Sequence, residues 1–199
     1  MEYNLIIQKS SSMIYVALLR GINVGGNNKV DMKKLKTTFE SLGFTNVVTY
    51  INSGNIIFRD ISNEPDAIVN EIEKAMVTDF QLPIRVLVRS YKDIGTICDK
   101  LPLTWVKNEL MRTDVMFLWK EFDSPEIIQQ LQINPVDNVM YEQGAVLWHV
   151  AGKDYNKSGM SKLVGTKLYR NMTIRNVNTV RKLHQIMTTI SKAEEISDR

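Results

Sequence analysis

The sequence has little of what metal and redox sites are built from. Cysteine occurs once, at Cys98, and histidine twice, at His149 and His184. One cysteine excludes an internal disulfide, and no Cys/His spacing suited to zinc is present. A reducing, cytoplasmic setting suits such a chain. No apolar run approaches the roughly 20 residues that a membrane helix needs. The start of the chain lacks a basic segment followed by a long apolar core, so no signal peptide is expected. Tracts of Lys and Arg are missing too. The 25 basic residues against 22 acidic ones leave a net charge of +3. That balance admits an acidic or phosphorylated partner without requiring one. With 44% hydrophobic and 24% charged residues, the chain is a globular one and not a disordered one.

What is there reads as alternating short elements. Ile14–Leu19 is a wholly apolar run that fits a buried strand. Asp31–Leu42 places Met32, Leu35, Phe39 and Leu42 on one helical face, with Asp31 to cap it and Gly43 to end it. Val47–Ile51 and Ile56–Phe58 flank Asn52-Ser53-Gly54, the pattern of a β-hairpin. Glu64–Phe80 is a second helix, with Pro65 where proline is tolerated. Ile84, Val86 and Val88 alternate with Arg85, Leu87 and Arg89 as a strand does. The order strand, helix, strand, strand, helix, strand is ferredoxin-like. Ser90 and Asp93 form a capping box for a short helix that carries Cys98 on its apolar stripe.

The second half repeats that order with less regularity. Its expected elements are a strand at Val115–Trp119, a helix after Ser124-Pro125, a hairpin about Gly144 and a helix over Ser158–Leu168. A brief strand at Met172–Arg175 and a last helix from Val177 to about Ile190 follow. The predicted fold is therefore α+β: two ferredoxin-like (βαββαβ-type) halves packed together, the second irregular, with an extra C-terminal helix. Residues 1–12 read as an N-terminal extension, with a brief extra strand at Leu5–Ile7. Residues 13–102 read as the first half, 103–112 as a connector and 113–199 as the second half. In the first strand Ile14, Val16 and Leu18 point one way and Tyr15, Ala17 and Leu19 the other. Both faces of its sheet must be covered, and the packing of one half on the other is the expected cover.

The stretch Arg20–Lys29, RGINVGGNNK, stands out where strand hands over to helix. Arg20 offers a planar fork of donors and Lys29 a point charge. Gly25 and Gly26 let a ligand approach the backbone. Asn23, Asn27 and Asn28 add amide donors. Ten residues is long for a strand-to-helix link, and the pattern can cup an anion against a helix N-terminus. It is neither of the glycine-rich nucleotide fingerprints. A second candidate stretch, Arg175-Asn176-Val177-Asn178-Thr179, opens the last helix, with Asn176 as its cap. The hairpin Asn52–Asn55 is expected at the opposite end of its sheet from the loop, bracing the second half. Cys98, His149 and His184 read as packed or solvated, and no catalytic triad or metal cluster can be assembled.

LLRGINVGGNNKV at Leu18–Val30, TYINSGNIIF at Thr49–Phe58 and TIRNVNTVRKL at Thr173–Leu183 resemble the bacterial family called domain of unknown function 1697. Asn52 stands where that family often has Gln, and Val177 where an aromatic residue is common. The resemblance implies a compact α+β fold related to a ferredoxin-like duplication, and no activity.

Four functions are consistent with these residues. The leading one is a module binding a small phosphorylated or carboxylated ligand through Arg20, Asn23, Gly25, Gly26, Asn27, Asn28, Lys29, Arg175, Asn176, Asn178 and Thr179. Nucleic-acid binding comes second, although Ile56-Ile57-Phe58 lacks the aromatic pattern of an RNA-recognition strand. An enzyme acting on a phosphorylated substrate lacks an evident base or nucleophile. A purely structural interaction module is the fourth. No cofactor and no oligomeric state is indicated.

Overall fold

The computed structural model describes residues 12–61 and 64–197. The expected strand at Leu5–Ile7 lies outside them. Eight strands form two antiparallel four-stranded sheets. The first contains β1 (Met13–Leu19), β2 (Thr45–Tyr50), β3 (Asn55–Asp60) and β4 (Val86–Ser90), in the order β2-β3-β1-β4. The second contains β5 (Met111–Leu118), β6 (Asn138–Glu142), β7 (Ala145–Ala151) and β8 (Met172–Asn176), in the order β6-β7-β5-β8. These are the same order twice. β5 begins at Met111, inside the stretch read from sequence as a connector.

The alternation along β1 decides how the layers stack. Tyr15, Ala17 and Leu19 face an outer core with Leu35 and Phe39 of α1 (Met32–Ser41) and Ile68, Ile72 and Met76 of α2 (Pro65–Phe80). Ile14, Val16 and Leu18 face a central core shared by both halves. There they meet Ile94 and Ile97 of α3 (Tyr91–Lys100), Val180 and Leu183 of α5 (Val177–Ser197), and Val115, Phe117 and Leu147 of the second sheet. α3 and α5 pack on each other and on β1. The two halves therefore cover one another, as the two-sided apolarity of β1 requires.

Local chemistry sets the element ends. The Asp31 carboxylate accepts from the Lys34 N–H at 2.8 Å and caps α1. Ser90 and Asp93 form the reciprocal capping box of α3. β4 is an edge strand, and carboxylates occupy two of its N–H groups: Glu73 accepts from Val86 at 2.8 Å and Asp93 from Ser90 at 2.9 Å. Such caps oppose pairing with another chain.

The second half departs from expectation at its helices. After Pro125 only one turn forms, α4 (Ile127–Gln130). The helix expected over Ser158–Leu168 does not form. Short 3₁₀ turns at Gly159–Lys162 and Leu168–Asn171 stand there, and Val164 is 69% exposed. Gly165 accounts for part of the difference: it has φ +93°, outside the helical region. Gly159 packs against the Gln132 carbonyl so closely that a methyl group there would not fit. The Asp137 carboxylate fixes the alternative path. It accepts from the Ser158 hydroxyl, the Gly159 N–H at 3.0 Å and the Trp148 indole at 3.0 Å. Met160 and Leu163 still reach the core from these turns.

Candidate functional site

At the end of β1 the Leu19 N–H donates to the Gly54 carbonyl at 2.8 Å, and the chain then leaves the sheet. The Ile22 side chain is buried and anchors the loop from below. Asn23, at φ +53°, is its main brace. Its amide nitrogen donates to the Val30 carbonyl at 3.0 Å and the Asn52 carbonyl at 2.9 Å, and its amide oxygen accepts from the Val30 N–H at 2.8 Å. Asn28, at φ +47°, donates back to the Gly21 carbonyl at 3.0 Å. Between them a bridge joins Val24 and Asn27, with Gly25 at φ +59° and Gly26 at φ +80°. Two adjacent left-handed residues make the tightest hairpin turn, and glycine adopts that conformation without strain. The stretch is thus a miniature hairpin stitched by asparagine side chains, with Val24 to Lys29 exposed at its tip.

A shallow hollow of about 530 Å³ lies beside this tip, lined by Asn23, Gly26, Lys29, Asp31, Lys33 and Asn52 among others. The hairpin Asn52–Asn55 is part of the same region. This corrects the sequence reading, which put it at the far end of the sheet. β3 runs antiparallel to β1, with Leu18 opposite Asn55, so the turn before β3 must sit beside the end of β1.

Arg20 turns away from the hollow. Its Nε donates to the Met172 carbonyl at 3.1 Å and its Nη2 to the Tyr169 carbonyl at 3.2 Å, with the guanidinium 5.3 Å from the Tyr169 ring centre. Arg175 is 8% exposed. Its Nε donates to the Asn55 amide oxygen at 2.5 Å, and its Nη2 to the Leu19 and Gly54 carbonyls at 2.9 and 3.1 Å. Its Nη1 donates to the Thr173 hydroxyl at 3.0 Å and the Ile174 carbonyl at 2.9 Å. None of these partners is a carboxylate. Burial pushes the guanidinium down to about 10, still charged at neutral pH.

The rest of the second motif also works inside the protein. Asn176 accepts from the Thr179 N–H at 2.9 Å as the cap of α5, and Thr179 is buried. Asn178 donates to the Lys107 carbonyl at 2.8 Å and accepts from its N–H at 3.3 Å. Arg181 reaches the Trp105 and Pro102 carbonyls at 2.7 and 2.8 Å. The three motif segments do meet, through Arg20 and Arg175. These contacts direct both arginines to protein carbonyls. Gly25, Gly26, Asn27 and Lys29 are left facing solvent, with Asn23 and Asn28 as the scaffold of the tip.

Other singled-out residues are packed. His149 stacks on Trp105 with ring centres 4.9 Å apart and shares a 2.8 Å hydrogen bond with Thr113; burial lowers its pKa. His184 stacks on Tyr91 at 5.4 Å. Burial pushes the Cys98 thiol up to about 11, which makes it a poor nucleophile at neutral pH.

One residue passed over in the sequence matters here. Arg89 immediately precedes the cap of α3, as Arg175 precedes the cap of α5. Its Nη2 donates to the Leu118 carbonyl at 2.6 Å and the Gly144 carbonyl at 3.4 Å. The signal was legible as apolar–Arg–cap, Val88-Arg89-Ser90 and Ile174-Arg175-Asn176. A cleft of about 880 Å³ runs beside Arg89, between β4 and the loops at Trp119–Asp123 and Glu142–Gly144. Its carboxylates are largely engaged. Asp123 accepts from the Tyr141 hydroxyl and the Gly144 N–H, and Glu121 pairs with Arg85 at 3.2 Å.

Among solved structures, that of a conserved bacterial protein from Streptococcus pneumoniae is similar to this chain. It is 30% identical with a TM-score of 0.77, and the match covers 89% of this chain and 99% of the other. No curated protein matches the chain closely enough to count as a relative. The model of a family described as "Protein of unknown function (DUF1697)" matches residues 13–148, which takes in the loop and the hairpin and stops short of the last motif. The chain belongs to the DUF1697 family.

Proposed function

We propose that this protein is a cytoplasmic binding module for a small phosphorylated or carboxylated ligand, held in the hollow between the Val24–Lys29 tip and the first turn of α1. One observation carries this reading: the tip is exposed and yet braced by hydrogen bonds from its own asparagines. Five residues of the loop, Gly21, Asn23, Gly25, Gly26 and Asn28, sit at positive φ. Side-chain hydrogen bonds from Asn23 and Asn28 hold them there. A link that only had to reach α1 needs no such scaffold. A preorganised tip lowers the ordering cost of binding.

The charge around the hollow favours an anion. Lys29 and Lys33 line it, and Met32 and Lys33 at its rim are the first residues of α1, the positive end of that helix. Asp31 is the one carboxylate among the lining residues, and one of its oxygens is held by the Lys34 N–H. Behind the hairpin lies the Arg175 charge, which no acid neutralises. In a low-dielectric interior such a charge is weakly screened. Arg20 and Arg175 thus contribute field and framework, and direct contact falls to Gly26, Lys29 and Lys33. The nucleic-acid reading loses ground, because both faces of both sheets are covered among the described residues. The single, half-buried thiol suits a reducing compartment. No helix among the described residues is long and apolar enough to cross a membrane.

The test is a titration with inorganic phosphate, a nucleoside monophosphate and a dicarboxylate, read by backbone amide shifts. Saturable shifts at Gly26, Lys29, Met32 and Lys33 that disappear in a Lys29→Ala/Lys33→Ala variant are expected. Absence of any saturable shift at millimolar ligand refutes the proposal.

A further inference from the structure

The two halves grip each other at equivalent points. Arg175 of the second half reaches the carbonyls of Leu19, the last residue of β1, and Gly54, the hairpin glycine before β3. Arg89 of the first half reaches the carbonyls of Leu118, the last residue of β5, and Gly144, the hairpin glycine before β7. In each acceptor half the strand-end N–H donates to that same glycine carbonyl, Leu19 to Gly54 at 2.8 Å and Leu118 to Gly144 at 2.9 Å. Each arginine also bonds the carbonyl of the residue before it, Ile174 or Val88. Beside each grip an arginine of the first half lies over an aromatic ring of the second. Arg20 of the first half covers Tyr169, and Arg85 of the first half covers Trp119 at 4.3 Å.

The two grips differ in the bonds they make, and individual residues say why. Asn55, the first residue of β3, gives Arg175 a third acceptor across the seam. The equivalent first residue of β7 is Ala145, which has none to give. Arg20 adds two more bonds across the Arg175 side, whereas Trp119, at the equivalent position after β5, has only a ring to offer. The acceptors of Arg175 and Arg20 across the seam are all neutral. The acceptors of Arg89 are neutral too, but its side has two such bonds across the seam against five, and it adds ion pairs between the halves: Arg85–Glu121 at 3.2 Å, Lys120–Asp66 at 3.7 Å and Lys100–Glu142 at 3.8 Å. The first two lie largely in solvent, where salt screens them. The 880 Å³ cleft lies on this side, with residues of both halves in its walls.

We infer that Arg89 and Arg175 are reciprocal latches between the halves of this chain, that Arg175 is the permanent one, and that Arg89 is the releasable one beside which the cleft widens. Arg89 itself bonds neutral carbonyls, as Arg175 does; the salt-sensitive part is the set of ion pairs around it. Screening those pairs shifts the population toward the parted seam on that side and leaves the more numerous bonds of the Arg175 side in place.

Spin-label distances in the full chain test this, in a Cys98→Ala background. One pair, Lys92→Cys with Gln143→Cys, spans the Arg89 side. Another, Asn52→Cys with Arg170→Cys, spans the Arg175 side. All four positions are exposed. Raising salt from about 0.05 M to about 1 M shortens the screening length to roughly 3 Å. The expected result is a longer, broader distance distribution for the first pair and an unchanged one for the second. Adding Arg89→Met gives the same broadening at low salt. Distributions that stay fixed in both pairs, or broaden equally in both, overturn the inference. The comparison at two salt concentrations stands even where Arg89→Met does not fold.

Discussion

Replacing Arg175 by methionine tests whether this arginine is a structural pin or a ligand contact. Methionine keeps most of the length and removes all donors. The Gly54 carbonyl keeps the Leu19 N–H, but the Asn55 amide oxygen and the Leu19 carbonyl lose their guanidinium donor in a site that is 8% exposed. An orphaned buried acceptor costs about 1–3 kcal/mol. Relief from burying a charge with no acid partner offsets part of that. The net loss works out at about 2–4 kcal/mol. For a chain of this size each kcal/mol moves the thermal midpoint by about 2–4 °C, so a drop of roughly 5–15 °C is expected, read by far-UV circular dichroism. Lysine rescues little, because its single nitrogen cannot reach acceptors that Nε and Nη2 serve from different positions. A midpoint within about 1 °C of the parent would refute the reasoning. So would a full loss of phosphate binding with the midpoint unmoved, which would put Arg175 in the ligand site.

Gly54→Ala is expected to destabilise strongly, by about 3 kcal/mol or more in urea unfolding, because φ is +72° and the added carbon would lie 2.8 Å from the Leu19 Cβ. Gly26→Ala, also at positive φ but with open space around it, should lose only about 1 kcal/mol; equal losses would show that the crowding at Gly54 is relieved. Asp137 is desolvated, which raises its pKa, but hydrogen bonds from Ser158, Asn134, Trp148 and Gly159 outweigh this and hold it below the usual carboxylate value. A depressed folded pKa gives stability that is full above the unfolded value, about 3.9, and is lost as pH falls through the folded one. Asp137→Asn should therefore lower the thermal midpoint at pH 6 and flatten its decline below about pH 4; parallel curves for the two proteins would count against this.

Much of the architecture could be read in advance because it is written in local patterns. The alternation along β1, the stripe of Ile68, Ile72 and Met76, and the Ser90–Asp93 capping box each depend on residues a few positions apart. The misreadings came where something distant overrides the pattern. Met160 and Leu163 have helical spacing and are buried, yet Gly165 at φ +93° and the bonds that the distant Asp137 carboxylate takes from Ser158 and Gly159 hold the segment to another path. The loop illustrates a different limit. Its donors were legible, but a guanidinium looks the same in sequence whether it awaits a phosphate or a carbonyl. Arg20 finds Met172, 152 positions away, and Arg175 finds Leu19, 156 positions away. The hairpin was misplaced for want of one topological step, the antiparallel run of β3 beside β1.

Both latches close on main-chain oxygens. The identity of the side chain at Leu19 or Leu118 is therefore irrelevant to the grip, provided the strand still ends there. The glycines are another matter, since a methyl at Gly144 would come within 3.1 Å of the Arg89 Nε. A substitution at either strand tip acts through the core that its side chain packs in and not through the grip, while two small turn residues and two guanidinium groups keep the assembly in register.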